Sequence, residues 1–350
     1  MSRSESAPSG PQRPRVLLIR PSALGDVAKT AASLAAIRRA MPDAVIHWLV
    51  SRPFAPLIAP HPALDEAVPF DRRKAGSWAG LIRRLHRARY DAVYDLQGLL
   101  RSGLFTAATR AKVRVGFADA REGAAWFYNR KHEVPQRQNA VDRMLGLLSA
   151  ELADQGVDTA HPDPRLYVAK DECDAHRAWL AEQGLDAGRY AAVAPTAKWG
   201  CKRWPMERWR VIVRRLAETG RGVVVVAGPG EEDQVRSLLG GSEPGGTLWQ
   251  GGVGAMAACL ADAGVVLAND SAALHIGVAF DRPVVGLYGP TDPALVGPYR
   301  RPEAVVQPEG LSPGEMVGYR DRQDDDALMR RIPIDAVWAR LHAVAPDAVG

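Results

Sequence analysis

Three short segments carry residue types whose spacing could do chemistry. Ser22-Ala23-Leu24-Gly25-Asp26 follows the apolar run Val16–Ile19. Gly25 permits a tight turn there. Asp26, read as the last residue before a helix, either caps that helix or acts as a base that amide donation keeps ionised. Lys198-Trp199-Gly200-Cys201-Lys202-Arg203-Trp204-Pro205 follows Tyr190–Ala194 and places three cations within six residues. Ahead of a proline that can start a helix, it reads as an anion clamp, or as a solvated loop with Trp204 tucked into the core. Asn269-Asp270-Ser271-Ala272-Ala273-Leu274-His275 follows Val265–Ala268. Small residues opening a helix present amides and the helix dipole to a phosphate. Asp270 would accept from a sugar hydroxyl and Ser271 would donate to phosphate. His275 is either part of that site or a hydrogen-bonded core histidine.

A fourth segment, Gly228-Pro229-Gly230-Glu231-Glu232-Asp233, half-matches the dinucleotide fingerprint. Asp233 stands at the third glycine, where its charge would repel a pyrophosphate, so NAD binding is disfavoured. Glu231 or Glu232 could hold ribose hydroxyls; the alternative is acidic dressing of a helix start. There is no P-loop, H-E-x-x-H or G-x-S-x-G pattern. Asp324-Asp325-Asp326 reads as a solvated acidic flank of a helix, and no metal site is expected. Without a metal, a leaving diphosphate would be neutralised by Lys, Arg and amide groups, which the second and third segments supply.

The elements that must position these segments are legible as a repeated event: a short apolar run, a turn, then a helical pattern. Val16–Ile19, 44–50, 92–96 and 113–115 read as strands of a first half, with Val27, Ala31, Leu34 and Ile37 at helical spacing. Tyr190–Ala194, 223–227, 265–268 and 284–287 repeat the pattern in a second half, with helices over 207–216 and from Glu231. Continuous apolar strands interleaved with helices indicate parallel sheets covered on both faces, with ligands at the carboxyl ends of the strands. His161-Pro162-Asp163-Pro164 marks the linker. Ile334, Val337, Trp338 and Leu341 form one apolar helical stripe near the end.

The length of 350 residues suits two such domains. With 47% hydrophobic and 24% charged residues, the chain is globular rather than disordered. No stretch reaches the roughly 18 apolar residues of a spanning helix. Residues 1–14 are polar, lack a signal-peptide core and read as a disordered tail. Three scattered cysteines suit a reducing cytoplasm. A net charge of +5 is compatible with nucleic acid, an anionic membrane face or a phosphorylated substrate.

With those residues in view, the sequence resembles the bacterial lipopolysaccharide heptosyltransferases, glycosyltransferase family 9, most closely their type I branch. The resemblance runs from about Arg15 to Ala343. It is carried by Ser22–Thr30, Tyr90–Ser102, Phe127–His132, Lys202–Trp209, Asp270–His275 and Tyr288–Tyr299. It implies an α/β, GT-B architecture: Rossmann-like domains over 15–165 (acceptor) and 166–328 (nucleotide sugar), with the helix of 329–350 packing back on the first. It implies inverting, metal-independent transfer of a heptose from ADP-heptose to Kdo of lipid A. That makes the partners a nucleotide-sugar donor and a lipid acceptor at the inner-membrane surface, with no nucleic acid and no cofactor. The implied roles are Asp26 as base and Lys202 as stabiliser of the departing diphosphate. Donor contacts fall on Thr196, Glu231, Glu232, Asp270, Ser271, Ala272 and His275. Acceptor contacts fall on Ser22, Arg72, Arg73, Gln97 and Arg121. Against the family pattern, Lys29 stands where a histidine is usual, Ala272 replaces a common glycine, and the loop before Lys202 is longer. Two alternatives are a family member with another donor sugar or acceptor, such as a second heptose or an N-acetylhexosamine, and a non-catalytic nucleotide-sugar-binding module.

Overall fold

The computed structural model describes residues 13–71, 76–157, 159–240, 244–316 and 325–348. Its strands form two six-stranded parallel sheets. In the first, β1 (Arg15–Ile19), β2 (Val45–Ser51), β3 (Glu66–Phe70), β4 (Ala92–Asp95), β5 (Val113–Phe117) and β6 (Arg130–His132) lie in the order β3-β2-β1-β4-β5-β6. In the second, β7 (Tyr190–Ala194), β8 (Gly222–Ala227), β9 (Thr247–Gln250), β10 (Val265–Asn269), β11 (Val284–Leu287) and β12 (Val305–Val306) lie in the order β12-β11-β10-β7-β8-β9. The two orders are one winding used twice. Each half starts at its centre, runs outward over two strands, then returns to lay β4 beside β1, or β10 beside β7. Those two junctions are where the winding reverses and a crevice opens at the strands' carboxyl ends.

Every central strand coincides with an apolar run, because a strand covered by helices on both faces must be apolar throughout. The four strands without such a run, β3, β6, β9 and β12, are the four sheet edges. β3 carries Glu66 and Pro69, and β6 is Arg130-Lys131-His132; edges favour charge and proline, which discourage further pairing.

The last helix, Ile334–Val344, does not pack back on the first domain as expected. Its Val337 and Leu341 are fully buried in the cluster that holds Val285, Leu287 and Val306 of the second sheet. Arg215 pairs with Asp335, and Arg340 donates to the Glu303 carbonyl, both within the second half. The apolar stripe is thus consumed by β11 and β12, leaving nothing to reach across. The expected tail also ends earlier. The Pro14 carbonyl accepts from the Val45 amide, and the Arg13 side chain donates to the Asp43 carbonyl, so both residues are tied to the start of β2 as the chain enters β1. Residues 1–12 lie outside the described residues.

The two domains meet through direct bonds. Tyr299 donates to Asp142 at 2.6 Å, and the Arg300 side chain donates to the Ala160 carbonyl at 2.8 Å. Helix Leu24–Lys29 lies against helix Ala272–Ala279 so closely that a Cβ on Gly25 would sit 3.0 Å from the His275 ring and 3.4 Å from the Ala272 Cα.

Asn269, at the end of β10, ties the second domain's crevice together. Its amide nitrogen donates to the Pro195 carbonyl at 2.5 Å and its oxygen accepts from the Trp204 amide at 3.1 Å. Trp204, fully buried, donates in turn to the Ile332 carbonyl and packs edge-on against Trp209. Asn269→Ala leaves two buried backbone groups unpaired and should cost about 1–3 kcal/mol. Urea unfolding measures it, and a loss well below that range would show that the clamp is not structural.

Candidate active site

Asp26 is the third residue of helix Leu24–Lys29 rather than the residue before it, because the helix starts three residues earlier than the sequence suggested. Ala23, not Asp26, is the N-cap residue; the Asp26 carboxylate reaches back from inside the first turn and accepts from the Ala23 amide at 3.3 Å. It also faces Arg20 at 3.1 Å, and its side chain keeps 35% of its surface open, enough for a substrate hydroxyl to reach it. Burial pushes its pKa up, but Arg20 and Lys29, with the Ala23 amide, outweigh burial and hold it below the usual carboxylate range. The carboxylate is therefore ionised at neutral pH. The charge that binds the Ala23 amide also stands at the open side of the site.

Across the interface, Lys202 sits 2.5 Å from Asp270, both largely buried. Thr291 donates to the same carboxylate at 2.8 Å. His275 stands 3.9 Å from Asp270, and burial, then Lys29 and Lys202, depress its pKa far below the ordinary value, so it is neutral. The nearby Tyr288 hydroxyl is buried without a hydrogen-bond partner. Lys29 is 8% exposed and donates to the Val296 carbonyl of the second domain at 3.1 Å. Burial lowers its pKa more than Asp26 and Asp270 raise it. Arg20, Lys29 and Lys202 thus face the carboxylates of Asp26 and Asp270 and a neutral imidazole where the two domains meet.

The other expected residues surround this centre. The Ser22 amide donates to the Gln97 side chain at 3.2 Å, joining the loops after β1 and β4. Gln97 is positioned by Asp95, fully buried, which accepts from the Gln97 and Gly98 amides and from Tyr128. Gly98 turns through φ +65°, and its carbonyl accepts from the Arg121 amide. Arg121 is exposed beside that loop. Arg72 and Arg73 lie outside the described residues. In the second domain Thr196 donates to Glu231 at 2.7 Å, and the same oxygen accepts from the Gly228 amide, leaving the other for a ligand hydroxyl. Glu232 is engaged by backbone amides and Gln250. Ser271 is the N-cap residue of helix Ala272–Ala279 and makes no side-chain cap bond. Ala272 turns toward Gly25 across the interface. Of the acidic run, Asp326 pairs with Arg330 and Asp325 caps Ala327, while Asp324 lies outside the described residues.

Sequence reasoning passed over Arg20, Thr291 and the bridging role of Lys29. Arg20 immediately follows β1 and was readable by the same rule that singled out Asp26. Thr291 and Lys29 act across long chain separations that no local pattern encodes.

The profile of "Glycosyltransferase family 9 (heptosyltransferase)" matches residues 78–320. The chain belongs to that family. It is a glycosyltransferase, which removes the alternative of a non-catalytic binding module. It is 31% identical over 307 residues to lipopolysaccharide heptosyltransferase 1 of Escherichia coli (strain K12), covering 84% of this chain and 93% of that one. Lipopolysaccharide heptosyltransferase 2 of the same strain is 24% identical over 324 residues, covering 84% and 88%. The solved structure of E. coli heptosyltransferase WaaC with ADP superposes with a TM-score of 0.76 at 27% identity, covering 95% of this chain and all of that one. The GT-B architecture follows.

The depressed pKa of Lys29 makes opposite demands on stability and rate. Between that pKa and the ordinary 10.5, the unfolded chain holds a proton that the folded chain has released. Stability relative to Lys29→Met should therefore rise with pH across this window, being lowest where the buried ammonium is charged. Turnover should fall over the same window as the cation is lost. Paired pH series of unfolding and rate test this, and a stability difference that falls with pH would contradict it.

Proposed function

We propose that this chain moves L-glycero-D-manno-heptose from ADP-heptose to a Kdo sugar of lipid A, with inversion and without a metal. The observation that carries the reading is an ionised Asp26, open on one side and held by Arg20 and Lys29, facing across the domain interface a second crevice in which Lys202 is held by Asp270. The higher identity to heptosyltransferase 1 than to heptosyltransferase 2 supports the first-heptose assignment.

In this reading the acceptor hydroxyl oxygen attacks the anomeric carbon from the face opposite the diphosphate. The new C–O bond forms as the bond to the phosphate oxygen breaks, and one displacement inverts the centre. Asp26 takes the hydroxyl proton and passes it to water when the product leaves. The electron pair of the broken bond departs on ADP. Lys202 and Lys29, with the amides at the start of helix Ala272–Ala279, stabilise the growing charge. The free carboxylate oxygen of Glu231 holds the ribose, while Ser22, Gln97 and Arg121 hold the acceptor.

Purified protein with ADP-heptose and Kdo-lipid A in EDTA should release ADP, and only when acceptor is present. Release that needs added divalent metal would end the metal-free mechanism, and turnover with a different donor in a panel would reassign the sugar.

Asp26→Asn should lower kcat by about 10²–10⁴ while ADP affinity is kept. Lys202→Ala should cost about 10²–10³ in kcat, as the loss of a preorganised charge stabiliser does. Steady-state kinetics beside ADP calorimetry decides, and a variant that turns over like the parent takes that residue out of the mechanism.

A further inference from the structure

Strand β1 has an arginine at each end. Arg20 directly follows it and faces Asp26 in the crevice already described. Arg15 opens it, roughly 16 Å away at the rise of about 3.3 Å per residue of an extended chain. At that amino end of the first sheet lies a cavity of about 550 Å³, between the sheet and the last turns of helix Gly76–Arg87. Arg15 comes to it from β1, His47 from β2, Glu66 from the first position of β3 and Tyr90 from the approach to β4. The helix adds Arg83, Arg84 and Arg87, all exposed.

His47 and Tyr90 form a buried polar wall. They are 7% and 4% exposed, and the Tyr90 hydroxyl lies 2.9 Å from His47 Nδ1. Burial, with Arg15 and Arg84, outweighs Glu66 and Asp65 and lowers the His47 pKa, so the imidazole is neutral. Four arginines then stand against one lining carboxylate, a balance of +3. That carboxylate, Glu66, pairs with Arg84 and stands 3.4 Å from His47. Asp65 is turned to Arg38 and the Ile46 amide, and Asp91 to the Arg15 amide. The Arg15 Nε is buried without a hydrogen-bond partner. A helix C-terminus favours cations, which accounts for Arg84 and Arg87 taken singly. It does not account for Arg83 and Arg87 as like charges four residues apart, nor for an unpartnered Arg15 brought to them from another element.

We propose that this cavity binds a small soluble compound bearing a diphosphate or two phosphate groups, at a site separate from the nucleotide-sugar crevice. A guanidinium fork pairs with phosphate through two hydrogen bonds at once. Phosphate offers oxygens in several directions, as arginines converging from a strand and a helix require, whereas one planar carboxylate answers one fork. The volume is that of a metabolite-sized ligand site. A ligand here sits at the amino ends of the strands and leaves both carboxyl-end crevices free.

The full chain is titrated with inorganic pyrophosphate by calorimetry, alone and with ADP present. Binding that ADP does not displace, and that survives Lys202→Ala, is expected. Arg15→Gln with Arg87→Gln should weaken it by about tenfold or more, and so should Arg83→Gln with Arg87→Gln, both exposed, with thermal unfolding and ADP affinity unchanged. Arg177→Gln with Arg236→Gln, exposed in the second domain, removes as much charge and should bind as the parent does. The proposal is overturned if ADP displaces all the pyrophosphate, if the cavity variants bind unchanged, or if the second-domain pair weakens binding as much. Citrate binding as tightly as pyrophosphate would overturn the phosphate class. Displacement by phosphatidylglycerol vesicles would overturn the soluble ligand, since the occupant would then be a lipid headgroup.

Discussion

A carboxylate lodged between two domains keeps its charge only if cations compensate for the water it has given up. Asp26 meets that condition with one cation from its own strand end, Arg20, and one from its own helix, Lys29. Lys29 is in turn fixed by the Val296 carbonyl of the other domain and by the field of Asp270. The ionisation state of Asp26 is thereby coupled to how the domains are set against each other. Gly25 permits the close approach, since a Cβ there would press within 3.0 Å of the His275 ring. Separate the domains, and Lys29 loses its carbonyl and Asp270 while Asp26 gains water. In the proposed mechanism the interface is thus part of the reaction centre rather than a support for it.

The Lys202–Asp270 pair has a related logic. A lysine on a loop after β7 would sample many rotamers, at an entropic cost when a phosphate arrives. Asp270 holds it in the crevice beforehand, and Thr291 and the Asn269 clamp hold the loops on either side. A diphosphate competes for Lys202 with a carboxylate that carries less charge, so exchange favours the ligand without reorganising the site. Neutral His275 adds bulk and a dipole there without a further charge to desolvate.

How much of this was written locally in the chain depends on where each residue's constraint comes from. Central strands must be apolar on both faces and so announce themselves; the edges β3, β6, β9 and β12 need not, and Pro69 or Arg130-Lys131 hides them. The segments bearing Asp26, Lys202 and Asp270 were visible because each directly succeeds a legible strand. The helix boundary at Asp26 was missed because Ala23, which offers no side-chain cap bond, is the N-cap residue. Tertiary partners were not legible at all. Nothing near Ile334 specifies that its stripe belongs to β11 and β12, and nothing near Lys29 names Val296, which lies 267 residues away.

The two domains share a winding but not a task, and the difference lies in the loops that leave equivalent strands. After β1 comes a short turn into a helix whose first turn carries a carboxylate; after β7, its counterpart, comes a longer loop ending in a lysine and a buried tryptophan. After β4 comes a loop folded over the fully buried Asp95, which sets the Gln97 side chain on the Ser22 amide. After β10 come Asn269, pointing inward as a clamp, and Asp270, turned to Lys202. In the proposed mechanism one crevice accepts the proton and the other absorbs negative charge. A displacement that releases a proton at one end and a diphosphate at the other needs that division. Burying both functions in a single crevice would let Asp26 and Lys202 neutralise each other. Placing them on separate sheets leaves a gap of opposite polarity, and only a substrate that bridges the two charges can fill it.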